Sequence, residues 1–184
     1  MGRPYRVVWA SGDSGGGPKL AERAIAFRAP LLGGGEVDVA TWIGHRPFVL
    51  VFWASWCGPC RAEAPHLAKL YERYGDRVAF LSVSIDEAGD RAAVDEAVRE
   101  LGIPYPVALD PDGAVMARYA AGASIPLSFV FDATGAARFR HHNFQPGDER
   151  ALAAAVSAVA GAAGGAQEAT ERAREVNSGS ASRR

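Results

Sequence analysis

Cys57 and Cys60 are the only cysteines in a chain of 184 residues, and just Gly58 and Pro59 separate them. Thiol-disulfide chemistry needs one thiol present as thiolate near neutral pH and a second within reach of whatever the first has bonded. A Cys57 at the mouth of a helix, with Cys60 one turn further in, meets both needs. Pro59 suits a first helical turn, where its missing N–H costs nothing, and Gly58 lets the backbone approach a substrate closely. Bringing a thiol pKa from about 8.5 to about 7 takes roughly 2 kcal/mol, whereas a helix N-terminus usually supplies only about 0.3–1 kcal/mol. Backbone N–H groups and the Cys60 S–H must therefore help to hold a Cys57 thiolate.

Two other uses of a cysteine pair fit this spacing less well. A structural disulfide here would close a very short ring and remove roughly 2 kcal/mol of unfolded-state entropy, against about 4.7 for a 100-residue loop. Zinc wants a full tetrahedral ligand set, and the chain has no second Cys pair and no His at finger spacing. The pair stands where an apolar strand passes into a helix, which is the setting of a redox motif.

The elements that must hold the pair follow from periodicity. Residues 48–53 are continuously apolar, as a strand buried on both faces should be, and form the expected central strand. After the cysteines, Ala64, Leu67, Tyr71 and Tyr74 recur at helical spacing up to a stop at Gly75. Pro65 is expected to kink that helix. Residues 78–85 read as a second buried strand. A helix then runs from Asp90, the expected N-cap, to Gly102, with Val94, Val98 and Leu101 inward. Such a strand–helix–strand unit makes the two strands parallel, with a right-handed crossover. Upstream, apolar stretches around Gly33, Gly34 and Gly35 predict a small hairpin within residues 24–39, then a helical turn over 40–43. Downstream come a strand over 106–109, a turn over 110–113 and a short helix over 115–120. Strands over 127–132 and 137–141, joined near Thr134 and Gly135, should pair antiparallel. A last helix from Asp148 carries Leu152, Val156 and Val159 on one face.

Length and an apolar fraction of 48% suit a single core with tails. The expected organisation is a flexible Gly/Ser/Pro-rich segment over 1–22, one domain over 23–161, and an Ala/Gly/Ser-rich tail over 162–184, disordered or partly helical. A net charge of −1 offers no electrostatic footprint, so neither nucleic acid nor an anionic membrane surface is an expected partner. No run approaches the ~18 apolar residues of a membrane span. Arg3 and Arg6 could mimic a positive n-region, but the apolar patch that follows, Val7-Val8-Trp9-Ala10, is far shorter than the ~7–15 residues of a signal-peptide core. The chain as given therefore reads as cytoplasmic. Residues 12–18, Gly-Asp-Ser-Gly-Gly-Gly-Pro, look like a serine-protease signature. A nucleophilic serine needs a His base and an oxyanion hole held by a scaffold, which a flexible terminus does not supply.

The residues around the cysteines resemble a known family. Val49-Leu50-Val51-Phe52-Trp53-Ala54-Ser55-Trp56-Cys57 leads in and Cys60-Arg61-Ala62-Glu63-Ala64-Pro65 leads out. Ala29-Pro30 precedes the hairpin, and Ile125-Pro126-Leu127-Ser128-Phe129 lies downstream with Asp132 and Gly135. Together these are similar to the TlpA/ResA-like branch of the thioredoxin superfamily, over about residues 27–160. The resemblance implies an α/β thioredoxin fold, a central mixed β-sheet flanked by helices, with an N-terminal β-hairpin extension. It also implies a cis bond at Pro126, which would face the cysteines so that the Ile125 backbone can pair with a bound client strand. A trans proline opening an edge strand is the alternative. Trp56 would form an apolar rim beside the nucleophile, while Trp53 reads as a core residue. Thioredoxins carry a buried Asp six residues before the first Cys, where this chain has Val51. Glu63, which matches the CxxCxxExP pattern of the branch, is the available proton carrier if it is buried; a solvated helix glutamate is the alternative. His66, His141 and His142 have no defined partner in the sequence and read as structural or surface residues.

The implied activity is that of a thiol-disulfide oxidoreductase that reduces protein disulfides. Cys57 attacks, a mixed disulfide forms, and Cys60 releases the reduced client; the Gly-Pro dipeptide leans toward a reductant. A disulfide-containing client protein and an upstream thiol electron donor are the expected partners, with no cofactor, no metal and a monomeric state. By resemblance the compartment would be extracytoplasmic, against the reading of the chain as given. Two rivals follow from the same fold. A peroxiredoxin-like peroxidase would surround its cysteine with a Pro-x-x-x-Thr/Ser-x-x-Cys pattern, and Trp53 and Ala54 stand in that region here. A non-catalytic thioredoxin-like binding module would use the Trp56 and Pro126 surface without turnover.

Overall fold

Six apolar residues in a row are stable in a strand only where neighbours cover both faces and both edges, and Phe48–Trp53 is buried at every position. The computed structural model describes residues 20–181, with side chains through residue 165. The protease-like stretch and most of the expected N-terminal segment lie outside the described residues, as do residues 182–184. The elements are β1 (Arg28–Pro30), β2 (Glu36–Asp38), β3 (Phe48–Trp53), α1 (Gly58–Tyr74), β4 (Ala79–Ser84), α2 (Arg91–Leu101), β5 (Val107–Leu109), α3 (Ala114–Ala120), β6 (Leu127–Phe131), β7 (Ala137–His142) and α4 (Glu149–Ala181). α4 runs on through the stretch whose composition reads as a tail.

The main sheet has the order β5-β4-β3-β6-β7, with β1 and β2 forming a separate antiparallel hairpin. β3 pairs parallel with β4 and antiparallel with β6, which makes the sheet mixed and puts β3 at its centre. Period-two alternation then splits the core between the two faces. Phe48, Leu50 and Phe52 pack with the hairpin residues Phe27, Ala29 and Val37 and with Tyr119 of α3. Val49 and Val51 face the other way, against Leu67 and Tyr74 of α1 and Leu152 and Val156 of α4. α2 joins that second face through Val94 and Ala97, in a cluster that includes Trp53 and both cysteines.

The hairpin turns through Gly34 and Gly35, both at positive φ, a conformation open to glycine at little cost. Leu31 bridges to Ala108 and the Leu32 N–H donates to Val107 O at 2.8 Å, so the hairpin covers the β5 edge that would otherwise be open. Gly102 ends α2 in the left-handed region, with its N–H turned back to the Arg99 and Val98 carbonyls. Asp90 stands at the α2 N-cap position but makes no capping bond. A 3-10 turn over Ala88–Asp90 leads into the helix, so Asp90 takes φ −96° and ψ 12° rather than the extended conformation from which a cap side chain folds back. Pro65 is exposed and does not end α1.

Candidate active site

The functional loop is built where the β3–β4 ladder runs out. Trp53 pairs with Ser84, the Ile85 N–H donates to Trp53 O at 2.9 Å, and the next donor on the β3 side, the Ser55 N–H, meets a side chain instead. Asp86 accepts from that N–H at 2.9 and 3.2 Å, from the Ser55 hydroxyl at 2.5 Å and from the Ser84 hydroxyl at 2.7 Å. The carboxylate is buried and all of these bonds converge on it, which fixes the start of the loop that carries Trp56 and Cys57. Asp86→Asn keeps one oxygen acceptor but turns an NH2 toward these donors, so at least one buried donor loses its partner. The expected cost is about 1–3 kcal/mol, read as a lower denaturant midpoint at unchanged slope; a midpoint equal to wild type would remove Asp86 from this role.

Cys57 is the N-cap of α1, and Pro59 occupies the first turn as its fixed φ allows. The Cys57 Sγ accepts the Cys60 N–H at 3.2 Å, so the sulfur sits on one of the free donors of the helix N-terminus. The two cysteines are joined by a disulfide, with their Cα atoms 5.3 Å apart. Trp56 projects from the loop at 69% exposure. A groove of about 470 Å3 runs beside it, lined by Trp56, Cys57, Gly58, Pro59 and Ile125, with Met116 and Ile85 completing its apolar floor. The Ile125–Pro126 peptide is cis, and Pro126 is buried at the start of β6. Among the described residues the Ile125 main chain makes no hydrogen bond.

Cys60 faces elsewhere. It lines a small internal cavity together with Val51, Trp53, Glu63, Ser82 and Tyr105. Glu63 is 2% exposed, and its two carboxylate oxygens accept from the Ser128 hydroxyl at 2.8 and 3.0 Å. Burial pushes its pKa up to about 7; the Ser128 hydrogen bond pulls it down and the charge of Asp148 adds to the rise. Val51, which stands where thioredoxins place an Asp, borders the same cavity, so here the carboxylate enters from the helix rather than from the strand. The alternative of a solvated helix glutamate does not describe this geometry.

His141 does have a partner, contrary to the sequence expectation. Its Nε2 lies 3.2 Å from Asp148 Oδ2, and burial lowers its pKa more than Asp148 restores it. His66 lies against Phe144, with ring centroids 5.8 Å apart and the rings tilted by 38°. Among the described residues no group of three or more His, Cys, Asp or Glu side chains is placed to hold a metal ion. No helix of the described residues is long and apolar enough to cross a membrane.

Two of these residues were not singled out by sequence. Asp86 reads as one of two consecutive acids after a strand, and Tyr105 as a residue before one. Only the parallel register brings Asp86 to Ser55 across 31 positions.

Known proteins of similar sequence and fold are named for thiol-disulfide chemistry. The thiol-disulfide oxidoreductase ResA of Bacillus anthracis is 30% identical over 118 residues, covering 64% of this chain and 66% of its own. ResA of Oceanobacillus iheyensis is 35% identical over 105 residues, 54% of this chain and 53% of that one. The chain thus spans between about half and two thirds of these relatives, by those same shares. A secreted Mycobacterium tuberculosis disulfide oxidoreductase, described as homologous to E. coli DsbE, superposes with a TM-score of 0.60 at 27% identity. That superposition covers 72% of this chain and 95% of the other. Residues 20–140 match the AhpC/TSA family, and with the mixed sheet, the hairpin and the Cys57–Cys60 bond in place the chain belongs to that family as a TlpA/ResA-like member of the thioredoxin superfamily.

Proposed function

We propose that the protein is a thiol-disulfide oxidoreductase that reduces protein disulfides through a Cys57 mixed disulfide. The observation that carries this reading is the different settings of the two bonded cysteines: Cys57 borders the outer groove and Cys60 the inner cavity with Glu63. An attacking thiol must meet its client, whereas a resolving thiol must meet the first sulfur and a base. Cys57 is then the nucleophile and Cys60 the resolving thiol. Trp56, Gly58 and Pro59 form the rim against which an extended client segment lies, and the Ile125 main chain beside the cis Pro126 offers that segment hydrogen bonds. Glu63 takes the Cys60 proton. The client is a disulfide-containing protein, and an upstream thiol donor returns the dithiol to its reduced state. An extracytoplasmic site of action follows the secreted Mycobacterium tuberculosis neighbour.

The test is the equilibrium reduction potential of the Cys57–Cys60 couple, titrated against a defined thiol-disulfide buffer. A value near the roughly −270 mV of thioredoxin is expected for a reductant. A value near the roughly −120 mV of a strong oxidant would turn the direction toward disulfide insertion, and the absence of any reversible couple would defeat the reading.

A further inference from the structure

Residues 20–27 form a strap that is tied to two places far away in sequence. The Ala24 N–H donates to Gly135 O at 2.8 Å and the Ala137 N–H donates to Glu22 O at 2.9 Å, which anchors the strap at the turn between β6 and β7. Its other anchor is α3. The Ala21 N–H donates to Tyr119 O at 2.7 Å, and Arg118 donates to Ala26 O at 3.0 Å. Between these, the Tyr119 hydroxyl accepts from the Ile25 N–H at 3.0 Å and donates to Ile25 O at 2.7 Å. A phenol can both give and accept a hydrogen bond, and Tyr119 uses both capacities on one backbone 94 positions away. Its buried ring meets Phe27 edge-on at 6.1 Å and lies tilted on Phe52 and Phe129, each at 5.4 Å, so the hydroxyl is aimed by a packed aromatic cluster.

α3 has seven residues, too few to hold a helix unaided. Asp110 fixes its start by accepting from the Val115 and Met116 N–H groups at 3.1 and 2.9 Å, and the Tyr119 clasp fixes its end. Both ends matter to the outer groove. Met116 is on the groove floor, and the chain leaving α3 through Ala123, Ser124 and Ile125 is one of its walls. Ala123 N–H to Ala120 O, at 3.2 Å, is the one hydrogen bond to the main chain of residues 122–125 among the described residues. Ala123 and Ile125 rest instead on the apolar cluster that contains Met116 and Tyr119, and the strap packs on the same cluster through Leu20, Ala24 and Ile25. The opposite wall, Trp56 to Pro59, comes from the loop after β3 and the start of α1.

We propose that Tyr119 is a positioning residue for the client: its clasp on Ile25 of the strap holds the Met116 and Ile125 side of the groove in the arrangement that receives a client segment. The proposal rests on the client groove of the reading above. Tyr119 neither lines the groove nor belongs to the cluster around the cysteines, so its influence passes through Met116 and Ile125. A groove wall that spends only a tenth of its time in the receiving arrangement weakens client binding about tenfold and leaves the sulfur chemistry as it was.

Tyr119→Phe keeps the ring and removes only the clasp. With insulin as the protein disulfide and dithiothreitol as the donor, the variant should show a KM about tenfold higher at a kcat within about twofold of wild type. Its rate with hydroxyethyl disulfide, too small to need the groove, and its Cys57–Cys60 reduction potential should equal those of wild type. Amide hydrogen exchange at Ala123, whose N–H does not bond Tyr119, should be about tenfold faster. An unchanged insulin KM or unchanged exchange overturns the proposal. So does a loss shared equally by insulin and the small disulfide, which marks a general loosening of the fold. If Tyr119→Phe does not fold, Arg118→Gln, at an exposed position, removes the bond to Ala26 alone and should raise the insulin KM about twofold; no rise overturns the proposal. A wild type that reduces neither disulfide removes the dithiol reading, while the exchange at Ala123 still decides whether the clasp sets this wall.

Discussion

Cys57→Ser is expected to abolish disulfide reduction, while Cys60→Ser leaves the first step intact and halts the second. A serine hydroxyl does not form a disulfide, so nothing else in the outer groove can replace the Cys57 sulfur. Loss of a nucleophile that works as part of a unit typically costs roughly 10³-fold or more. Cys60→Ser keeps the backbone N–H that bonds the Cys57 sulfur, since that donor belongs to the main chain. The Cys57 thiolate should therefore still attack a client disulfide, and the mixed disulfide should accumulate because no second thiol is within reach. Mass spectrometry after incubation with an oxidised client would show the client joined to the Cys60→Ser variant and to no Cys57→Ser chain. The reverse pattern would exchange the roles of the two sulfurs, and a Cys57→Ser protein with full activity would remove the dithiol from the mechanism. Both single variants lose the disulfide, whose short ring restricts the unfolded chain by only roughly 2 kcal/mol. Cooperative unfolding should persist in each, so the activity losses can be read as chemistry.

The fold was legible wherever one local rule acted without competition. Residues 48–53 could only be a strand covered on both faces, and Gly75 and Gly102 mark the ends of α1 and α2 because each stands at the C-cap, Gly102 in the left-handed region. The cysteine pair was legible for the same reason, as its chemistry is carried by neighbours in sequence. What needed tertiary structure was every contact made across the sheet. Glu63 could be placed on the Cys60 side of a helix, but its burial depends on Val51 and Ser128 meeting opposite each other in β3 and β6. Asp86 acquires its role only from the register of β3 on β4. His141 gains Asp148 because the chain turns back at Asn143, which takes a positive φ, before α4 begins. Asp90 shows the opposite case, a residue of the right type at the right position whose preceding 3-10 turn denies it the capping conformation.

Glu63→Gln should make the protein more stable above pH 7 and less active there. The sign follows from the direction of the pKa shift. Glu63 titrates near 4.5 when unfolded and near 7 when folded, so between those values the folded state holds a proton that the unfolded state has released. Stability from this group is fully present below pH 4.5 and declines as pH rises toward 7, by about 3 kcal/mol in all. Above pH 7 the protein carries a buried carboxylate with a single hydroxyl donor, Ser128. Glutamine has the shape of the protonated acid and still accepts that bond, yet has no charge to desolvate. Urea unfolding at pH 5 should therefore differ little between the two proteins, whereas at pH 8.5 the variant should be the more stable by about 2–3 kcal/mol. Equal stability at both pH values would mean that the carboxylate is solvated in solution. The same substitution removes the acceptor for the Cys60 proton, so mixed-disulfide resolution at pH 8 should fall about 10- to 100-fold while attack by Cys57 is preserved. A gain in stability without that loss would make Glu63 a buried acid with no part in turnover; the two effects together mark a carboxylate kept at a cost to the fold because the second thiol needs somewhere to leave its proton.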